Sequence, residues 1–192
     1  MKYYYNNILL LTILSLASVG FGQIFSDNFD DGVLSDVWTI TDTSEYSVEF
    51  VDGANGSEYG LKLTGGGDQQ HYDGLSATFD ASQPAYISYY VKPQVTRNFD
   101  TNYLIIKDGE ETWGNTLIFF LISDDYEACD STLSFALYAD GWLCGPPATS
   151  EEWYHIEYRN IDFDSQIFDW YINNELVHGS VPFRDEISSV DN

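Results

Sequence analysis

Alternation with a period of two runs through most of the chain beyond residue 22. Leu61 and Leu63 in GLKLTG share one parity, as do Leu75, Ala77 and Phe79 in LSATF, Ala85, Ile87, Tyr89 and Val91 in AYISYYV, and Leu133, Phe135 and Leu137 in LSFALY. Each pattern predicts a strand with one buried face. LIFFLI at 117–122 is apolar on both parities, which predicts a central strand covered on both sides. Two further runs, WYHIEYRN at 153–160 and FDWYI at 168–172, alternate as well. In the first, Tyr154, Ile156 and Tyr158 should face the core, while Trp153, His155, Glu157 and Arg159 face solvent or a groove. In the second, Phe168, Trp170 and Ile172 point inward, so the two strands pack as neighbours.

Turn clusters separate these runs at Asp52-Gly53-Ala54-Asn55-Gly56, Gly65-Gly66-Gly67-Asp68, Asp108-Gly109 and Asp140-Gly141. Asn173-Asn174 interrupts FDWYINNELV, and because asparagine tolerates the left-handed backbone it can make a two-residue hairpin turn there. No window beyond residue 22 has a helical period. Short strands spaced in this way predict an all-β sandwich or barrel. Neither an internal repeat nor a Pro/Ser-rich linker divides residues 23–192, which therefore read as one domain. Ile187 to Val190 reads as the start of a strand, with the fold either closing there or continuing beyond it.

Residues 1–22 stand apart from this pattern. Lys2 is followed by an almost wholly apolar stretch from Ile8 to Ala17, and Gly20 and Gly22 occupy the −3 and −1 positions before Gln23. This is the arrangement of a secretory signal peptide, too short for a membrane anchor, and it predicts a secreted or cell-surface protein. Removing Lys2 with that leader leaves six basic residues against 31 acids, a net charge of −25. Nucleic acid and anionic membrane surfaces are repelled by such a chain. The acids lie in short clusters among many aromatics, a pattern unlike that of a disordered tail. On an exported protein they suit Ca2+ better than other inorganic partners, although a solvated acidic surface explains most of them. Export also permits a disulfide between Cys129 and Cys144, expected to contribute about 3 kcal/mol.

Two stretches carry a family likeness. FSDNFDDGVLSDVWTI at 25–40 resembles the opening strand of laminarinase-type glucanases and related sandwiches. EEWYHIEYRNIDFDSQIFDWYINNELVHG at 151–179 is similar to the laminin-G-like pattern, in which a W-Y-H strand precedes a hairpin. Together they resemble the concanavalin-A-like jelly roll, a β-sandwich of two antiparallel sheets. That resemblance implies a structural calcium between the opening and last strands, pointing to Asp191 with Asp27 or Asp30 nearby.

Catalytic patterns are missing. Laminarinase-type glucanases carry E-x-D-x-x-E or E-x-D-x-E on one strand, where alternation sets a nucleophile beside an acid/base; neither occurs here. Asp125/Glu127 and Asp162/Asp164 are the nearest acid pairs, and both read as solvated turns. Asp162 to Gln166 also lacks the glycine of an EF-hand loop. His71, His155 and His178 are widely separated, with His71-Tyr-Asp73 better read as a polar turn than as metal ligands. For a sugar ligand, exposed aromatics are the relevant groups, because a ring offers an apolar surface and neighbouring polar groups fix hydroxyls. Trp113 in EETWGN and Trp142 in ADGWLC read as turn residues, and Tyr126 and Trp153 complete the candidate set. The reading is a secreted carbohydrate-binding, lectin-like module whose partner is a polysaccharide or glycoconjugate. An extracellular adhesive or structural domain that binds protein is the alternative, with a glycoside hydrolase behind it.

Overall fold

A computed structural model describes residues 23–40, 46–65, 74–94, 101–109, 114–123, 129 and 133–192. In chain order the strands are β1 (Trp38–Ile40), β2 (Tyr46–Asp52), β3 (Tyr59–Gly65), β4 (Leu75–Ala77), β5 (Tyr86–Val91) and β6 (Thr101–Lys107), then β7 (Thr116–Ser123), β8 (Ser134–Ala139), β9 (Gly141–Pro147), β10 (Tyr154–Asp162), β11 (Ile167–Ile172) and β12 (Glu175–Pro182). Two four-stranded antiparallel sheets, ordered β12-β11-β10-β5 and β6-β7-β8-β9, form a β-sandwich, and the ribbons β1-β4 and β2-β3 complete the pairing. No helix among the described residues is long and apolar enough to cross a membrane.

The core lies between the two main sheets. Phe120 and Ile122 of β7 and Phe135 and Leu137 of β8 meet Ile156, Tyr158, Phe168, Trp170 and Ile172, the last seven on the inward parity expected of their strands. Phe120 and Trp170 touch edge to face at 6.2 Å between centroids, and Tyr89 and Tyr158 share a hydroxyl–hydroxyl hydrogen bond of 2.9 Å inside the core. Burial pushes both phenols well above their ordinary range, with their contact adding to that of Tyr89. Trp170 reaches the β9 backbone because residue 145 is glycine; a Cβ there would sit 2.7 Å from its ring. The same edge is joined by His178, whose Nε2 donates to the Cys144 carbonyl at 2.9 Å.

Asn173 and Asn174 adopt φ of 51° and 68° and turn the β11-β12 hairpin, as expected of asparagine there. Residues 190–192 lie beside two segments: Val190 bridges Ser82, and Asn192 accepts from the Lys107 N–H. One local expectation changes. Trp142 is not a turn residue but the second residue of β9, paired with Tyr138, because Asp140-Gly141 makes a tighter connection than its composition suggested.

Candidate functional site

Strand β10 sits between β5 and β11, and its outward parity carries His155, Glu157 and Arg159. The register places Tyr90, Ser88 and Tyr86 opposite them on β5, with Tyr171 and Asp169 opposite Glu157 and Arg159 on β11. Glu157 is only 3% exposed although it faces away from the core. Its neighbours bury it: Tyr86 Oη donates to Oε1 at 2.8 Å, Arg159 Nε to Oε1 at 3.1 Å, and Arg159 Nη2 to Oε2 at 2.7 Å. Arg159 Nη2 also donates to Asn174 Oδ1 at 2.9 Å, and its guanidinium lies 4.1 Å from the centroid of Tyr171. Beside this pair the rings of Tyr90 and His155 stack at 4.4 Å with planes 12° apart.

Burial alone would raise the carboxyl of Glu157, but the hydrogen bonds from Arg159 and Tyr86 and the nearby positive charge prevail and hold it below its ordinary value. On the adjacent strand, Asp169 is also held low, by the Asn160 amide and the Ser180 N–H. The face therefore carries fixed carboxylates and a fixed guanidinium, with Tyr86 50% and Tyr90 41% exposed at its margin. Chemically it offers ring faces for stacking and an ordered set of hydrogen-bonding groups between them.

The outer face of the β6–β9 sheet is built differently. Ile105 pairs with Phe119, Leu121 with Ala136, Ala136 with Cys144, and Tyr138 with Trp142. Phe119, Leu121, Ala136 and Cys129 are buried in a second, smaller core against Ile105, Trp142 and Cys144. The expected disulfide between Cys129 and Cys144 ties the β7–β8 connection onto this face, with the two Cα atoms 5.5 Å apart. Arg184 closes another part, its guanidinium 4.6 Å from the Phe119 centroid and 5.4 Å from that of Tyr138.

Of the expected ligand residues, Trp142 and Trp153 are described, and they lie in different settings. Trp142 packs within the second core, in edge-to-face contact with Phe119 and Tyr138. Trp153 is half-buried elsewhere: Gly60 of β3 lies under its ring edge, where a Cβ would come within 3.3 Å, and Lys92 Nζ stands 5.1 Å from its centroid. It docks the β2-β3 ribbon against the body of the fold. Trp113, Tyr126, Asp125, Glu127, His71 and Asp73 lie outside the described residues.

The three acids expected at calcium are engaged in separate sets of hydrogen bonds. Asp27 accepts from the Phe29 N–H and from Trp38 Nε1 at 2.8 Å. Asp30 accepts from Ser57 Oγ and the Glu58 N–H, both at 2.7 Å, and these bonds hold its carboxyl low. Asp191 accepts from the Gly109 N–H at 2.7 Å. Among the described residues no group of three or more His, Cys, Asp or Glu is placed to hold a metal ion. Asp162 likewise accepts from Ser165 Oγ and two backbone N–H groups in its turn.

Tyr86, Tyr90 and Tyr171 are absent from the sequence-based candidate set. The signal of the first two is the outward parity Tyr86, Ser88 and Tyr90 of AYISYYV, opposite the outward parity of β10, and that of Tyr171 is the outward parity of FDWYI, opposite Glu157. No protein-family model matches the chain, and neither a curated protein nor a solved structure does so.

Proposed function

We propose that this protein is an exported, non-catalytic glycan-binding module of the concanavalin-A-like jelly-roll kind, with its ligand on the outer face of β5, β10 and β11. The observation that carries this reading is the pair of exposed tyrosines, Tyr86 and Tyr90, flanking a Glu157–Arg159 pair already fixed by hydrogen bonds. Sugar recognition uses both parts, since rings cover C–H faces and ordered polar groups meet hydroxyls without a further ordering cost. The leader-like first 22 residues and the disulfide support export.

Hydrolysis does not suit this face. A glycosidase needs one carboxyl kept protonated as the acid, with its pKa raised. Glu157 and Asp169 are both held low, and both oxygens of Glu157 are occupied by Arg159. A protein partner is the second reading, favoured by the tyrosine and arginine content of the same surface, since these residues are enriched at interface hot spots.

A glycan array probed with protein recovered after export from the full chain tests the proposal, in about millimolar calcium and again with chelator. Binding to a defined polysaccharide that Tyr90→Ala weakens is expected. A folded sample that binds no glycan would move the assignment to a protein partner. The chelator arm tests the calcium requirement implied for Asp27, Asp30 and Asp191.

A further inference from the structure

We infer that the open face takes an uncharged oligosaccharide chain, laid along β5 across Tyr86 and Tyr90, and turns polyanionic glycans away. The inference rests on the glycan-binding reading above and specifies its ligand. Tyr86 and Tyr90 share the outer parity of β5 and lie four residues apart. At the rise of a strand this separates them by about 13 Å. One sugar ring cannot rest on both, so simultaneous use of the two platforms requires a chain. Between them, the pairing sets Ser88 next to Glu157 and Tyr86 next to Arg159, so a bound chain would run past the fixed ion pair.

Charge decides the class of chain. The guanidinium of Arg159 is committed through Nε and Nη2 to Glu157 and through Nη2 to Asn174, with Tyr171 beneath it. Its charge is balanced by Glu157, and Asp169 on the neighbouring strand adds a negative one. A uronate or sulfate would therefore meet a cation already spent on a carboxylate. It would approach a protein carrying −25 after loss of the leader, which opposes encounter at low salt. A neutral chain meets neither barrier.

Affinity electrophoresis of the exported protein separates the outcomes, with gels containing soluble neutral polysaccharides (a β-glucan, a galactomannan, a xyloglucan) or anionic ones (alginate, polygalacturonate). Retardation by at least one neutral polymer and by neither anionic polymer is expected. Tyr86→Ala and Tyr90→Ala should each weaken binding about tenfold, the effect of losing one stacked ring. Tyr86→Phe keeps the ring but drops the bond to Glu157, and should bind nearly as the parent does. A hexasaccharide of the retained polymer should compete at least about tenfold better than its monosaccharide. Equal retardation by alginate would overturn the charge argument while leaving a glycan-binding protein. Equal competition by the monosaccharide, or insensitivity of a folded Tyr86→Ala variant, would overturn the chain along β5. No retardation by any polymer, from protein that melts cooperatively, would sink this inference together with the glycan reading itself.

Discussion

The two outer faces of the sandwich bury comparable central residues by opposite means. Glu157 on β10 is 3% exposed and Leu121 on β7 is 1% exposed, although both point away from the main core. Glu157 is sealed by side chains of its own sheet, as Tyr86 and Arg159 fold over the carboxylate and Tyr171 lies under the guanidinium. Leu121 is in a second core, where a disulfide-tied connection and the flat guanidinium of Arg184 help close the face. Outward parity on a strand thus says where a side chain points and not whether water reaches it. What separates the faces is the chemistry of the cover. A charged centre needs partners with directional hydrogen bonds, which leaves the surrounding rings at the surface. An apolar centre needs only to be covered, and a covalent tether suffices.

The largest effect should come from removing that tether. The Cys129→Ser/Cys144→Ser variant loses a constraint on a loop with sequence separation 15, worth about 3 kcal/mol in the loop-entropy model. Thermal melting should shift down accordingly, and binding of an apolar dye should rise as Phe119 and Leu121 become accessible. The glycan binding proposed for the other face should persist below the new melting temperature. Loss of binding with the fold retained would show that the faces are not independent.

Breaking the ion pair should come next. Arg159→Ala strands the carboxylate of Glu157 on a nearly dry site and should lower the melting temperature, though less than the double-serine variant does. Glu157→Gln/Arg159→Ala removes the stranded charge and should recover most of that loss in a chemical-denaturation experiment. If the double variant is no better than the single one, the loss came from packing against Tyr171 and not from charge. The same carboxylate gives a pH signature. Its folded pKa lies below the unfolded value of about 4.3, so its contribution is complete above that value and disappears as pH falls through the folded one. Melting curves taken downward from about pH 6 should show a steepening fall below about pH 4, which Glu157→Gln makes shallower.

How much of this could be read from the sequence follows the same division. The clean alternation of β5, β8, β10 and β11 was legible, as were the double-sided burial of β7, the Asn173-Asn174 turn and the disulfide. Strand β3 is a strand as expected, but its Leu61/Leu63 parity is not a buried face, because Leu63 is 44% exposed on a two-stranded ribbon. Other elements resisted for physical reasons. Trp142 reads as a turn residue because it follows Asp140-Gly141, yet Gly141–Pro147 is an edge strand, where glycine and proline are tolerated. Strand β6 has Leu104, Ile105 and Ile106 on both parities, which erases its period. The open face was half legible: Glu157 and Arg159 were assigned outward, but Tyr86 is 71 residues from Glu157 along the chain, and only pairing brings them together. Clusters such as DNFDDG suit a metal or a turn equally well by composition. Here Asp27 accepts from the nearby Phe29 N–H, whereas Asp30 accepts from Ser57 and Glu58, distant in the chain.

A smaller effect is expected at Arg184. Replacing it by alanine removes stacking on Phe119 and Tyr138, worth about 1 kcal/mol at a partly exposed site. Dye binding should rise less than in the double-serine variant, because the disulfide still holds its part of the cover. A rise as large would mean that the tether alone does little to close the face.

The smallest change in stability should have the sharpest consequence for the open face. Asn174 sits at φ 68°, where glycine is at ease, so Asn174→Gly should alter stability by no more than about 0.5 kcal/mol. It deletes the Oδ1 that accepts from Arg159 Nη2, while the neighbouring Asn173 still ties the turn to the backbone of His155 through its own N–H and Oδ1. Arg159 then keeps Glu157 but loses its third anchor. If the guanidinium must be held to meet a sugar hydroxyl, binding in the retaining gel should weaken about threefold, about 0.7 kcal/mol by the usual conversion, with an unchanged melting curve. If binding is untouched, the asparagine is there for the turn alone, and the specificity of the face lies in Tyr86 and Tyr90.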